Sequence, residues 1–176
     1  MRSGARKRAS PVLLAAGIAL APLCARAPAS GPDARTPPAY RTAPDFSRTD
    51  LDRREIRLGA YRGNVVLLNF WATWCEPCIA EIPEFAGWQR KYAGRLQVLG
   101  VSMDDEAAPV RTAYRKYGLN YPVVMGDEKL GELYGRVLGL PMTFLIDPDG
   151  RIRYQHEGAT DLEVMEREIR ELLPRK

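Results

Sequence analysis

The sequence is poor in cysteine and histidine and contains no long apolar run. Its 176 residues include three cysteines and one histidine. Three cysteines are too few for a disulfide-stapled scaffold, and one histidine leaves little room for a histidine-based metal site. No apolar run approaches the roughly 18–20 residues that a membrane-spanning helix needs, which excludes a polytopic membrane protein. The remaining composition is globular, with 45% apolar and 27% charged residues, and the length is typical of one domain.

The chain also lacks a basic excess outside its first 29 residues. The formal net charge is +4, from 26 basic and 22 acidic side chains. Five of the basic side chains and none of the acidic ones fall in residues 1–29, so the rest of the chain has 21 against 22, a net charge of −1. This balance gives no electrostatic reason to expect nucleic acid as a partner.

Residues 1–29 have the organisation of a secretory signal. Basic residues at positions 2–8 precede the apolar run Val12–Leu23. Small residues follow this run: Ala25, Ala27 and Ala29. The order of a basic, an apolar and a small-residue region predicts a signal peptide that is cleaved after Ala29. An N-terminal anchor that is not cleaved is the alternative.

This segment predicts a periplasmic or otherwise extracytoplasmic location, with the chain held to the membrane if the segment is retained. Lipidation at Cys24 is disfavoured, because Leu23 is not the small residue that lipidation requires before the cysteine. Cleavage after Ala29 would remove Cys24 altogether. Residues 30–43 are rich in proline and poor in large apolar side chains, so we expect an extended linker there. The folded domain is then expected over residues 44–176.

Within this domain the pattern predicts alternating strands and helices. Strands are expected over Asp45–Asp50, Arg53–Arg57, Val65–Trp71, Leu96–Val101, Tyr121–Met125, Met142–Ile146 and Arg151–His156. Helices are expected after Cys75 (with a kink at Pro83), over Ala107–Tyr117, from Asp127 to Tyr134 and over Asp161–Leu173. The alternation implies parallel strand pairs, and the late hairpin implies an antiparallel edge. The predicted class is a three-layer α/β/α sandwich around a mixed sheet.

Two cysteines stand where the apolar strand Val65–Trp71 gives way to a helical pattern. Cys75 falls at the start of that helix, where unpaired N–H groups and the helix dipole favour a thiolate over a thiol. Cys78 follows one turn later, close enough for a disulfide, and Pro77 suits the first helical turn. We therefore expect Cys75 to attack in disulfide exchange and Cys78 to resolve the mixed disulfide.

Other uses of a Cys-X-X-Cys pair fit this sequence less well. A zinc site needs about four ligands, and beyond the pair the mature chain offers only His156. Haem attachment needs a histidine directly after the second cysteine, where this chain has Ile79. An inert structural disulfide remains as an alternative. A redox function is the favoured interpretation, with neither a metal nor a cofactor.

The segment Val65–Cys78 resembles the active-site region of the thioredoxin superfamily. Glu81, Pro83 and the run Gly139–Asp147 extend the likeness, which is strongest to the exported TlpA/ResA/CcmG-type thiol–disulfide oxidoreductases. The resemblance spans the chain from about Ala43 to its C-terminus. It implies a thioredoxin-like fold with an N-terminal β-hairpin and an insertion around residues 103–134.

The resemblance also implies roles for individual residues. Pro141 matches the family's cis-proline, which faces the cysteine pair and leaves the preceding backbone free to pair with a substrate chain. Glu81 matches an acidic residue near the cysteines, and its spacing puts it on the same helix face as Cys78. A surface glutamate in a salt bridge is the alternative for Glu81. Asn69 replaces the buried aspartate of thioredoxins, which leaves Glu81 as the candidate for proton transfer.

Two further groups of polar residues are predicted to have no part in the chemistry. We expect His156, near the end of a strand, to lie on the surface. We expect Asp104, Asp105 and Glu106 to form a helix-capping acidic turn rather than a metal site.

The functional hypothesis is an exported, monomeric reductant of oxidised protein thiols. The resemblance suggests apocytochrome c as the substrate and a membrane electron donor for re-reduction. One alternative is a binding or chaperone module of the same fold whose disulfide stays closed. A peroxidase-type redoxin is a weaker alternative, because Phe70–Cys78 lacks the Pro-Xaa-Xaa-Xaa-Thr-Xaa-Xaa-Cys context of a peroxidatic cysteine.

Overall fold

The computed structural model describes residues 41–174 of the chain. This range contains seven strands and four α-helices. In chain order they are β1 (Ser47–Thr49), β2 (Glu55–Arg57), a 3-10 turn (Leu58–Tyr61), β3 (Val65–Trp71), α1 (Glu76–Lys91), β4 (Leu96–Ser102), α2 (Ala107–Lys116), β5 (Val123–Met125), α3 (Glu128–Leu133), β6 (Met142–Ile146), β7 (Ile152–Glu157) and α4 (Leu162–Leu172). The predicted signal segment at 1–29 lies outside the described residues. No helix in the described range is both long and apolar enough to cross a bilayer.

Five of the strands form the central sheet, in the spatial order β5-β4-β3-β6-β7. β3, β4 and β5 run parallel, whereas β6 is antiparallel to β3 and β7 is antiparallel to β6. The predicted mixed sheet is therefore confirmed, with the late hairpin at one edge.

β3 lies at the centre of the sheet because it is apolar on both faces. All seven of its residues are buried. Leu67 belongs to the core on one face of the sheet, and Leu68 belongs to the core on the other. A strand that is covered on both sides can carry apolar side chains at every position, which is the composition that predicted it.

The two faces of the sheet are covered by different elements. Ile82 of α1, Val110 of α2 and Ile169 of α4 share one core. Leu130 of α3 joins Phe46, beside the N-terminal hairpin, in the core on the other face. The helices α1 and α2 follow successive parallel strands that advance in the same direction, so right-handed crossovers place both on one face. The predicted three layers are confirmed, and α3 is the one α-helix of the second covering layer among the described residues.

The N-terminal hairpin is confirmed, but its strands are shorter than predicted. β1 and β2 pair antiparallel over three residues each. The carboxylate of Asp50 accepts hydrogen bonds from the N–H groups of Asp52 and Arg54, both at 2.8 Å. These bonds fold the intervening residues into a turn, so the strands end earlier than the apolar pattern indicated.

Two further segments bear on the predicted organisation. Residues 103–134, between β4 and β6, contain α2, β5 and α3 and correspond to the insertion that the resemblance implied. At the start of the described range, the N–H of Ala43 donates to the carbonyl of Gly150, and Thr42 bridges to Arg151. The chain thus already packs against the β6–β7 turn at these positions. The domain boundary at residue 44 stays a prediction.

Two leucine truncations test whether the two-sided core determines stability. Leu145 is fully buried, and Leu145→Ala should lower the free energy of unfolding by about 2–5 kcal/mol, because it removes buried methyl groups and leaves a cavity. Leu138 is 90% exposed, and Leu138→Ala should change the stability by about 0.5 kcal/mol or less. Urea denaturation of both variants measures this difference. Equal losses for the two would contradict the assignment of the core.

Candidate redox site

The cysteine pair lies at the junction of β3 and α1. Cys75 is the N-cap of α1, and its Sγ accepts a hydrogen bond from the N–H of Cys78 at 3.3 Å. The two residues form a disulfide, with a Cα–Cα distance of 5.3 Å. Pro77 is the second residue of the helix, where its missing N–H costs no intrahelical bond. The helix continues through Pro83, where a kink was expected, as far as Lys91.

The surroundings of the pair distinguish the two sulfurs. Cys75 is 5% exposed and Cys78 is 1% exposed, so Cys75 is the one that a partner can reach first. Once the disulfide opens, the unpaired N–H groups of the first turn of α1 would stabilise a thiolate on Cys75. Exposure and electrostatics therefore favour the same order of attack that the sequence predicts.

Glu81 lies one helical turn beyond Cys78 and is buried. It is 4% exposed, so the alternative of a surface glutamate in a salt bridge is wrong. Neither carboxyl oxygen has a hydrogen-bond partner in the described part of the chain. Burial raises the pKa of the Glu81 carboxyl to about 7, and the nearby backbone of Thr160 opposes this rise without reaching hydrogen-bond geometry. A carboxyl with such a pKa can take up or release a proton near neutral pH.

Asn69 occupies the buried position on β3 that thioredoxins give to an aspartate. Its Nδ2 donates a hydrogen bond to Oγ1 of Thr143, the residue directly opposite on β6, at 2.9 Å. The amide is thus held by its cross-strand neighbour. Asn69 has no titratable group and therefore cannot exchange a proton.

Pro141 precedes β6 at the same end of the sheet as the cysteines. The peptide bond between Leu140 and Pro141 is cis, which confirms the expectation from the resemblance. The carbonyl of Pro141 accepts a hydrogen bond from the N–H of Gly158 at 2.8 Å. Leu140 packs against the core that contains both cysteines. The role of Pro141 in substrate docking stays a prediction.

Three large apolar side chains are exposed among the described residues, and one of them directly precedes the cysteine pair. They are Trp74, Leu133 and Leu138. Trp74 directly precedes Cys75 and is 70% exposed, and Leu138 lies three residues before Pro141. A cavity of about 260 Å³ lies beside Leu138 and Leu140. Exposed apolar surface at the end of the sheet that carries a disulfide is suited to contact with another polypeptide.

Two predictions about polar residues are wrong. Asp104 does not cap α2: it is buried and accepts hydrogen bonds from Thr73 and Ser102. β4 extends to Ser102, so Asp104 lies just beyond the C-terminal end of this strand and not at the start of α2. Glu106 is the N-cap residue of α2, but its side chain makes no capping hydrogen bond.

His156 is also not a surface residue. Its side chain is 13% exposed, and Nε2 lies 2.8 Å from Oε2 of Glu168 on α4. β7 extends beyond His156 to Glu157, so the histidine lies within the strand. Within residues 41–174 no three His, Cys, Asp or Glu side chains are grouped so as to hold a metal ion.

A disulfide at a helix N-terminus, following a doubly covered strand and at the same end of the sheet as a cis-proline, is the arrangement of a thioredoxin-like thiol–disulfide oxidoreductase. Comparisons with known proteins agree with this class. A thiol-disulfide oxidoreductase ResA from Bacillus thuringiensis subsp. konkukian is 34% identical over 138 residues, which cover 76% of this chain and 78% of the relative.

Solved structures give the same result. A crystal structure of a candidate thiol:disulfide interchange protein DsbE from Chlorobium tepidum has a TM-score of 0.70 and 31% identity, over 76% of this chain and 96% of that one. An exposed lipoprotein thioredoxin from Streptococcus pneumoniae has a TM-score of 0.62 and 29% identity, over 73% and 100%. The sequence model of the AhpC/TSA family matches residues 40–155. The chain belongs to this thioredoxin-like family, among the ResA-like thiol–disulfide oxidoreductases.

The buried Glu81 should make the stability of the oxidised protein depend on pH. Its pKa is about 7 in the folded state and 4.5 as the unperturbed value. Between these pH values the folded state binds a proton that the unfolded state has released, so the free energy of unfolding falls as the pH rises from about 4.5 to 7. With allowance for solvent screening, the loss by pH 8 should be roughly 1–3 kcal/mol.

Glu81→Gln should remove this loss, because the amide stays neutral at every pH. Urea denaturation of the disulfide form at pH 5 and pH 8 measures it. The variant should gain stability over the wild type at pH 8, relative to the difference at pH 5. Glu84→Gln, an exposed change on the same helix, is the control and should follow the wild type. The same pH dependence in all three proteins would show that Glu81 does not cause it.

Proposed function

We propose that this protein is an exported reductant of protein disulfides, with Cys75 as the attacking thiol. The observation that carries this proposal is that α1 holds both groups that disulfide exchange needs. Cys75 caps the helix, and the buried carboxyl of Glu81 has no hydrogen-bond partner in the described chain. The first group supplies the nucleophile and the second supplies a place for the proton. Pro141 is proposed to leave the backbone before it free for the substrate chain.

The exchange runs in two displacements in which the electrons balance. The Cys75 thiolate attacks one sulfur of the substrate disulfide, and the other substrate sulfur leaves as a thiolate. The Cys78 thiol then gives its proton to Glu81 and attacks the sulfur of Cys75, which releases the second substrate thiolate. The substrate gains two electrons, and the protein ends in the Cys75–Cys78 disulfide that the structure contains.

The direction of transfer is proposed from the residues between the cysteines. A strongly oxidising protein stabilises the thiolate of its reduced form, and positive charges near the sulfur do this. Glu76 and Pro77 carry no positive charge, and Glu76 is an exposed acid beside Cys75. These residues favour a reductant. An oxidising compartment would then require a membrane electron donor to reopen the disulfide.

Export and substrate belong to the same proposal. Export is supported by the signal-like organisation of residues 1–29 and by the solved relative that is described as an exposed lipoprotein. The proposed substrate is apocytochrome c, whose haem-attachment motif Cys-X-X-Cys-His forms a disulfide when oxidised. This substrate is suggested by the resemblance to the exported TlpA/ResA/CcmG-type proteins. We also propose that the protein acts as a monomer.

A trapping experiment tests the order of attack and the substrate together. The probe is an oxidised peptide with the Cys-X-X-Cys-His motif. The reduced full chain with Cys78→Ser should accumulate a mixed disulfide between this peptide and Cys75, because the Cys78 thiol that would resolve the bond is missing. Cys75→Ser should accumulate none. A mixed disulfide on Cys78 alone would reverse the roles, and the absence of any adduct with the peptide would exclude this substrate.

The redox potential tests the direction. Equilibration of the full chain with defined thiol–disulfide buffers should give a midpoint nearer to the roughly −270 mV of thioredoxin than to the roughly −120 mV of strong disulfide donors. A midpoint above about −160 mV would make the protein an oxidant or an isomerase. Steady turnover of a disulfide substrate in the same buffers separates an enzyme from a binding module whose disulfide stays closed.

A further inference from the structure

The loop between β3 and α1, residues 72–74, is tied down by a side chain that the redox steps do not use. Asp104 lies just beyond the end of β4 and is 8% exposed. Its Oδ2 accepts a hydrogen bond from the N–H of Thr73 at 3.0 Å, and its Oδ1 accepts one from Oγ1 of Thr73 at 2.5 Å. Hydrogen bonds to a carboxylate are stronger than those between neutral groups. These two hydrogen bonds therefore hold the loop against the C-terminal end of β4.

The carboxylate is itself oriented by a second contact. The hydroxyl of Ser102, which is fully buried, donates a hydrogen bond to Oδ2 of Asp104 at 2.7 Å. In return, the N–H of Asp104 donates to Oγ of Ser102 at 3.2 Å. The N–H of Met103 donates to the carbonyl of Trp71 at 2.8 Å, which joins the ends of β4 and β3. The position of the Asp104 side chain is thus fixed by Ser102 and by the joined ends of β3 and β4.

The loop carries the exposed Trp74 directly before the nucleophile. Cys75 is only 5% exposed, so a protein that approaches its sulfur must pass over neighbouring side chains. Trp74, at 70% exposure, is the large apolar one that precedes it. A cavity of about 320 Å³ adjoins the loop, and both Trp74 and Asp104 line it. Trp74 directly follows Thr73, the residue whose N–H and hydroxyl Asp104 binds.

We propose that Asp104 is a positioning residue: it holds Thr73 so that Trp74 stands beside Cys75 as part of the docking surface for protein disulfides. Cys75 has separate support from α1, since its Sγ accepts from the N–H of Cys78 and its carbonyl accepts from the N–H of Ile79 at 3.1 Å. Loss of the Asp104 contact should therefore impair docking more than the chemistry of the sulfur. The contact serves exchange in either direction, so its test does not depend on whether the protein is a reductant.

The experiment compares a protein disulfide with a small one. Insulin is the protein substrate, with dithiothreitol as reductant, and 5,5′-dithiobis(2-nitrobenzoic acid) is the small disulfide. Thr73→Val, which removes the hydroxyl but keeps the shape, and Asp104→Ala should each raise KM for insulin about tenfold, within the range that misplacement of a group can cause. The kcat for insulin and the rate with the small disulfide should change less than threefold. Thr73→Ser keeps the hydroxyl and should restore KM, and Thr112→Val, on the exposed face of α2, should change nothing.

Two results would overturn the proposal. One is an insulin KM in Thr73→Val and Asp104→Ala that equals that of the wild type. The other is an equal slowing with both disulfides together with a lower thermal unfolding midpoint, since that is the signature of a structural role alone. If Asp104→Ala does not fold, the comparison of Thr73→Val with Thr73→Ser decides the question.

Discussion

The position of the cysteine pair depends on the register of β3 against the two strands that flank it, β4 and β6. Leu67 pairs with Val98 on one side and with Leu145 on the other, so the strand cannot shift along either partner without breaking two ladders. The last parallel pair sets Trp71 opposite Ser102. A slip by one residue would exchange the two buried faces of β3. The point where the strand ends, and with it the place of the cysteine pair, is therefore fixed by packing on four sides.

The same packing accounts for the environment of Glu81, whose carboxyl oxygens have no hydrogen-bond partner among the described residues. Glu81 lies on the buried face of α1, which it shares with Cys78 and Ile82. An ionised carboxylate there would lose its hydration, whereas a neutral carboxyl loses much less, so burial favours the protonated form. Burial in this apolar core thus raises the pKa of Glu81. Asn69 shows the contrasting solution, because a cross-strand hydroxyl satisfies its amide.

Local patterns predicted most of the fold, and long-range contacts account for what they missed. The continuous apolar run of β3 and the start of α3 at Asp127 depend on residues within a few positions, and the structure contains both. The environments of Asp104 and His156 depend on partners 31 and 12 positions away, so no local pattern indicated them. The resemblance, and not the composition, supplied the cis bond before Pro141. The burial of Glu81 stayed open for a similar reason, since helix spacing shows which residues share a face but not what covers it.

The buried carboxyls of Asp104 and Glu81 differ in their hydrogen-bonding environment, and this difference fits the separate roles proposed for them. Asp104 accepts hydrogen bonds from the backbone and hydroxyl of Thr73 and from the hydroxyl of Ser102, so its oxygens are engaged in holding the loop. Glu81 has no such donors among the described residues, so a change in its protonation breaks no hydrogen bond of the fold. A carboxylate that accepts several hydrogen bonds is held in place and in its charged form, whereas a carboxyl without such donors can change its protonation without losing these contacts. The fold provides both environments, because polar donors surround Asp104 just beyond the C-terminal end of β4, whereas the buried face of α1 is otherwise apolar.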